Sequence, residues 1–245
     1  MKIDFAGSTA FVTGSSSGIG AAAVERLIAV GANVVGFDLT PSPRARSDQF
    51  LAIVGDVVDE ASVAGAIENA VAEFGRLDLA LNNAAIIPPL ALLADVELSD
   101  WERTLRVNLT GPMLCLKHEI RQMVTSGGGA IVNLASAASL TAYPGRPGYV
   151  ASKHGLAGLT KAAAVEYGRA GIRVNALCPG LVMTPMADNL TGGDPAATEM
   201  LVGMFPLGRA AEAGEIADIA ILLLSPLTAY MTGAIVSADA GFTAQ

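Results

Sequence analysis

Short apolar runs alternate with amphipathic stretches along the whole chain. Thr9–Thr13 is a β-rich run, followed by the glycine-rich segment Gly14–Gly20 and a helical run from Ala21 to Val30. Val34–Asp38 predicts a second strand, and a loop rich in Pro and Ser leads to a third near Leu51–Val54. Asp59 opens a helix to Phe74, with Val63, Ile67, Ala70 and Val71 at helical spacing. Leu77–Leu81 is the next strand, and one long helix is expected over Thr104–Thr125. Ala130–Leu134 is a strand, the segment around Tyr149 a helix to Arg169, and Arg173–Leu177 a strand. Ile219–Ala238 is free of charge and long enough to raise the question of a membrane span. Ser225-Pro226 and Gly233 interrupt it, so it predicts the end of a buried helix, a loop and a last strand at Ala234–Ala238. Such alternation predicts an α/β fold: a single Rossmann-like, doubly wound parallel sheet with helices on both faces, in one domain over 1–245.

Sheets of this kind bind ligands beyond the carboxyl ends of their strands. Gly14, Asp38, Asp56, Asn82, Ser136 and Pro179 all follow predicted strand ends, so candidate groups converge on one edge.

Composition narrows the picture. Hydrophobic residues make up 52% of the chain and charged residues 16%, as expected of parallel strands buried on both faces. A net charge of −8 argues against nucleic acid and against anionic membrane surfaces. Cys115 and Cys178 make no disulfide framework and read as buried thiols, which fits the cytoplasm. The start of the chain, Met1-Lys2-Ile3-Asp4, carries no apolar signal core. No cluster has metal-ligand spacing, and His118 and His154 are lone helical histidines at expected surface positions.

Strand, glycine-rich turn and helix open a dinucleotide-binding unit. Gly14 allows the tight turn, Gly18 lets backbone approach a pyrophosphate, and Gly20 lets helix and strand pack closely. The first helical amides then meet phosphate charge. Asp38 ends the next strand, about 20 residues on, where a carboxylate accepts from ribose hydroxyls and repels a 2′-phosphate, favouring NAD over NADP. Ser17 and Leu39 offer no base for that phosphate, and Arg44 and Arg46 are expected in a solvated loop. Farther on, Tyr149 and Lys153 share one helix face a turn apart. An ammonium there is expected to lower the phenol pKa, making Tyr149 a proton donor and acceptor at a carbonyl or alcohol oxygen.

Several ordered motifs, Thr13-Gly14-x-x-x-Gly18-x-Gly20, Asp56-Val57, Asn82-Asn83-Ala84, Asn108, Ser136, Tyr149-x-x-x-Lys153 and Pro179-Gly180, span nearly the whole chain, which resembles a short-chain dehydrogenase/reductase of the common kind. The resemblance implies that Tyr149 is the general acid/base, that Lys153 tunes it and bonds the nicotinamide ribose, that Ser136 holds the substrate oxygen, and that Asn108 supports a proton relay with Lys153. NAD is the implied cofactor. Its candidate contacts are Gly14, Ser16, Ser17, Gly18, Ile19 and Gly20 around the phosphates, Asp38 at the ribose, and Asp56 and Val57 at adenine. Asn82 and Ala84 follow beneath the ribose, and Tyr149, Lys153, Pro179, Gly180, Val182 and Thr184 at the nicotinamide. Ala85 and Ala240 stand where the family usually has Gly.

Leu140, Tyr143, Leu181, Met183, Met186 and the stretch Glu199–Phe205 surround the expected substrate pocket. Gly192-Gly193 and Pro195 suggest a lid within 186–208. This lining favours an apolar or cyclic secondary alcohol or ketone. A ketoacyl-type reductase and a non-catalytic NAD sensor remain the alternatives. The resemblance also implies a homotetramer, and the stripe Val107, Met113, Leu114, Leu116 suits either a partner face or the core.

Overall fold

The computed structural model describes residues 2–187, 192 and 194–245. Seven parallel strands form the central sheet in the order β3-β2-β1-β4-β5-β6-β9. They are β1 (Thr9–Thr13), β2 (Asn33–Asp38), β3 (Phe50–Val54), β4 (Leu79–Asn82), β5 (Gly129–Leu134), β6 (Ile172–Pro179) and β9 (Ile235–Ala238). Strand order reverses between β1 and β4, which opens the crevice where such sheets hold ligands.

Period-two alternation within buried strands builds two cores. In β1, Ala10 and Val12 join one apolar cluster with Leu27 of α1 (Gly18–Ala29) and Ile216 of α7 (Ala213–Leu224). Phe11 points the other way, into a cluster with Ile67 of α2 (Glu60–Phe74), Met123 of α4 (Gly111–Ser126) and Ala163 of α5 (Pro147–Tyr167). Helices therefore cover both faces; of the stripe Val107, Met113, Leu114 and Leu116, Leu114 and Leu116 are buried, Val107 packs partly against the core, and Met113 is exposed. Asp59 caps α2 by accepting from Ala61 N. Among the described residues no helix is long and apolar enough to cross a membrane, and Ile219–Ala238 divides into helix, loop and strand as expected.

The expected helix over Thr104–Thr125 is not continuous. α3 (Leu98–Leu105) leads into a wide π-helical turn, Arg106–Thr110, before α4 begins. Pro112, in the first turn of α4, has no N–H to continue a regular ladder. Wide turns of this type re-aim side chains, and this one carries Asn108 into the interior. Two further elements went unpredicted: α6 (Pro195–Val202), capped by Asp194, and a small sheet pairing β7 (Val182–Met183) with β8 (Ala211–Glu212). Of the expected lid, residues 188–191 and 193 lie outside the described ones.

Beneath the sheet edge runs a buried polar chain. Asn82 Nδ2 donates to Glu119 Oε2 and to Asn133 Oδ1, both at 3.0 Å. Asn133 Nδ2 donates to Thr160 Oγ1 at 2.9 Å, and that hydroxyl donates to Leu156 O. The chain ties β4 and β5 to α4 and α5.

Candidate active site

The carboxyl ends of the strands open into a cleft of about 2620 Å³, including the space at its mouth. Its enclosed volume of about 800 Å³ lies toward the upper end of the roughly 300–1,000 Å³ usual for small-ligand pockets, room enough for an elongated occupant.

At one end lies the turn between β1 and α1. Gly14 has φ +64°, and a Cβ there would sit 2.7 Å from Asn83 Nδ2. A Cβ on Gly20 would lie 2.0 Å from Gly14 O, so the helix start packs directly on the strand end. The Ser17 side chain makes no capping bond, and the first turn of α1 holds no acidic residue. By contrast, α2 and α6 are capped by Asp59 and Asp194, and α7 has a Glu212–Glu215 capping box. The helix end facing the cleft thus keeps free amides and an uncompensated dipole. Ser17, Gly18 and Ile19 line the cleft there, which fits a pyrophosphate.

Asp38 lies beside this turn. Its Oδ2 accepts from Ser16 N at 2.9 Å, and its Oδ1 accepts from Thr40 N and Oγ1 at 3.0 and 3.1 Å. Ser16 thereby acts on Asp38 and does not line the cleft itself. Asp56, Val57 and Ala84 complete this end. Arg44 pairs with Glu25 and stacks over Phe50, while Arg46 pairs with Glu73 at 2.6 Å. Both arginines turn away from Asp38 into surface ion pairs.

Two expected contacts take other places. Asn82 is buried and points into the polar chain under the sheet, away from the cleft. Its neighbour Asn83 secures the turn, donating from Nδ2 to Thr13 O and Gly14 O. Asn108 also stays out of the cleft lining. Its Oδ1 accepts from Ile86 N and its Nδ2 donates to Ile86 O, each at 2.8 Å, so it clasps the loop after β4.

Ser136, Tyr149 and Lys153 meet at the floor of the cleft. Ser136 follows β5, and its Oγ accepts from Ala138 N, fixing the next turn. The first two turns of α5 carry Tyr149 and Lys153 inward. Lys153 Nζ donates to Leu134 O at 2.9 Å and lies 5.6 Å from the Tyr149 ring centre. The expected direction of the Tyr149 shift is reversed: burial raises its pKa, while a hydrogen bond from Ser136 and the Arg146 charge pull it down. Burial also pushes Lys153 down to about 8, weakening the ammonium that was to do the tuning. Burial raises the neighbouring Cys178 thiol too, so it rests protonated and is a poor nucleophile.

Pro179, Gly180, Val182 and Thr184 line the wall beyond β6. The apolar end is built by Leu181, Met186, Met200, Leu201, Met204 and Phe205, whereas Leu140 and Met183 are not part of its lining. Arg103 of α3 and Arg146 before α5 also line this end and were not singled out from the sequence. Arg146 sits in Pro144-Gly145-Arg146-Pro147-Gly148, a stretch that reads as an exposed turn.

A parallel sheet, an uncapped phosphate-facing helix and a Ser–Tyr–Lys floor define a nicotinamide-dependent oxidoreductase of Rossmann type. The chain belongs to the short-chain dehydrogenase/reductase family. The matching family model, described as enoyl-(acyl carrier protein) reductase, covers residues 14–243. The chain is 41% identical over 250 residues to the 2,5-dichloro-2,5-cyclohexadiene-1,4-diol dehydrogenase of Sphingobium indicum, covering 98% of this chain and 99% of that protein. It is 40% identical to the cis-4-hydroxycyclohexanecarboxylate dehydrogenase of Sinomonas cyclohexanicum, covering 98% of each. The crystal structure of levodione reductase superposes with a TM-score of 0.93 at 34% identity, over 98% of this chain and 99% of that one. The protein is an oxidoreductase that interconverts a secondary alcohol and a ketone.

Proposed function

We propose that the protein is an NAD-dependent dehydrogenase of cyclic secondary alcohols, with Tyr149 as general acid/base. The observation that carries this reading is the meeting of Ser136, Tyr149 and Lys153 beside an apolar pocket wall. Bound nicotinamide would accept or supply the hydride. Ser136 would hold the substrate oxygen with its hydroxyl. Tyr149 would take the alcohol proton in oxidation and return it in reduction. Both hydroxyls then stand where alkoxide charge develops. Lys153, anchored on Leu134 O, would bond the nicotinamide ribose. Asn108 would serve the same end at one remove, by fixing Ile86 at the pocket edge.

Asp38 supports NAD over NADP: its two oxygens are oriented by Ser16 and Thr40, and a 2′-phosphate would meet a carboxylate with Arg44 and Arg46 engaged elsewhere. The dehydrogenase names of the two cyclohexane-ring relatives support a cyclic substrate. Residues 186–208 would close over it as a lid, within one domain. We further expect a homotetramer in the cytoplasm, which light scattering and cell fractionation would check.

The direct test follows reduced-nicotinamide absorbance with NAD or NADP and a panel of cyclic, aliphatic and polyol secondary alcohols. Turnover with NAD and cyclic alcohols supports the reading. Turnover confined to NADP, or to acyclic polyols, overturns it.

A further inference from the structure

Arg146 presents an unusual electrostatic situation. Its side chain is more than nine-tenths buried, with a relative exposure of 8%. Among the described residues its hydrogen-bond acceptor is a neutral carbonyl, Pro88 O, reached through Nη1. Among the described residues no carboxylate pairs with it. A smaller cavity on its far side brings Glu97 and Asp100 near, yet neither comes within ion-pairing distance. A guanidinium has five N–H donors. Burying it without a counter-ion is costly, and burial works against its charge here. The natural compensation is an anion that arrives with the ligand.

The surroundings agree. Arg146 lines the cleft beside Tyr149 and Tyr143, at the end where the reacting oxygen must sit. Arg103 lines the same end, also without an ion-pair partner among the described residues. The acidic residues lining the cleft among those described are Asp38 and Asp56, both at the far end. In a chain of net charge −8, two unpaired arginines at one end of one cleft make a local positive site. Leu201, Met204 and Phe205 line the same cleft and suit an apolar ring.

We propose that the alcohol substrate carries an anionic group, a carboxylate or sulfonate on an apolar ring, held by Arg146 and Arg103. This rests on the dehydrogenase reading above. Arg146 is well suited to the task, because a planar fork binds an oxyanion bidentately in a way an ammonium does not. The anion would fix which ring carbon faces the nicotinamide, so it would set regiochemistry as well as affinity.

The test compares 4-hydroxycyclohexanecarboxylate with its carboxamide, which matches it in shape and lacks the charge. The acid should be preferred about ten- to a hundredfold in kcat/KM, the range of a charge-assisted hydrogen bond. Arg146→Lys and Arg103→Gln should each lower the acid-to-amide ratio, and added salt should raise KM for the acid alone. Equal turnover of acid and amide overturns the proposal. So does an Arg146→Lys variant that loses acid and amide turnover in equal proportion, which would assign Arg146 to Tyr149 and Pro88 only. A binding arm stands apart from catalysis: by calorimetry with NAD present, unreactive cyclohexanecarboxylate should bind more tightly than cyclohexanecarboxamide, and equal binding again overturns the proposal. Failure of every alcohol to turn over, with the acid still bound selectively, would instead strike the dehydrogenase reading and spare the anion site.

Discussion

The two ends of the cleft are built by different means. At the β1–β2 end the lining is mostly backbone: glycine turns, free amides of α1, and one carboxylate oriented by neighbouring N–H groups. At the β5–β6 end it is side chains: a buried phenol and amine, two arginines and an apolar wall from α6 and the loops that flank it. Backbone sites suit an invariant ligand, since they demand glycine and little else. Side-chain sites can be retuned one residue at a time, which is how one fold serves many alcohols.

The largest expected effect lies at the side-chain end. Tyr149→Phe keeps the ring and removes the proton carrier. Turnover should fall by about 10²–10⁴-fold, the usual contribution of a positioned acid/base, while NAD affinity measured by fluorescence titration changes little. Near-normal turnover would remove Tyr149 from the chemistry.

At the backbone end the sharpest probe is the one side chain that discriminates. Asp38→Ser should cut kcat/KM with NAD on the order of tenfold and narrow the gap to NADP. Because Asp38 also binds Ser16 N and Thr40 N, part of the loss should appear as a looser turn. An unchanged cofactor ratio would show that Asp38 does not set the choice between NAD and NADP.

The contrast also explains what could be read in advance. Gly14 and Gly20 were legible because a positive φ and a 2.0 Å approach admit one residue type, whatever the rest of the fold does. The major strands followed from their continuous apolar runs. By contrast β7, β8 and α6 are too short to carry a period, and their pairing depends on chain returning from elsewhere. The break between α3 and α4 was hidden by unbroken helical spacing. Asn82 and Asn108 were found by motif but assigned by analogy, since spacing does not say which way an amide points. Arg146 was missed because its segment looks like an exposed turn. Glu119 was missed because a lone acid on an amphipathic helix is ordinarily solvated.

Glu119 offers a test of the joint between the two ends. It is fully buried, and burial raises its carboxyl from 4.5 to about 8, offset in part by the hydrogen bond from Asn82. Its Oε1 and Asn82 Oδ1 have no partner among the described residues, and an unpaired carboxylate oxygen in that setting favours the protonated acid. Below pH 4.5 folded and unfolded chains both hold that proton. Between 4.5 and about 8 the folded chain keeps it while the unfolded chain releases it, so this group's contribution to stability falls as pH rises. Glu119→Gln keeps a donor and an acceptor but cannot ionise. The variant should flatten the decline, gaining on the order of 2–5 kcal/mol relative to the parent by pH 8, as read by denaturant melts across that window. A decline that persists unchanged in the variant would show that Glu119 is not its source.

The smallest expected effect comes from a departure that both ends tolerate. Ala240, after β9, is the non-glycine residue with positive φ among those described, at +54°. That conformation costs an alanine about 1–2 kcal/mol. It persists because Asp239 ties down the chain just beyond it, accepting from Gly241 N at 3.1 Å and from Thr243 N and Oγ1 at 3.0 and 2.6 Å. Ala240→Gly removes the Cβ clash but frees the unfolded chain, which returns about 0.5–1 kcal/mol. The net gain should be about 0.5–1 kcal/mol, raising Tm by about 1–4 °C in a chain of this size. Activity should stay unchanged, because residue 240 does not line the cleft. A lower Tm would mean that the Ala240 methyl makes contacts worth more than the backbone strain it imposes.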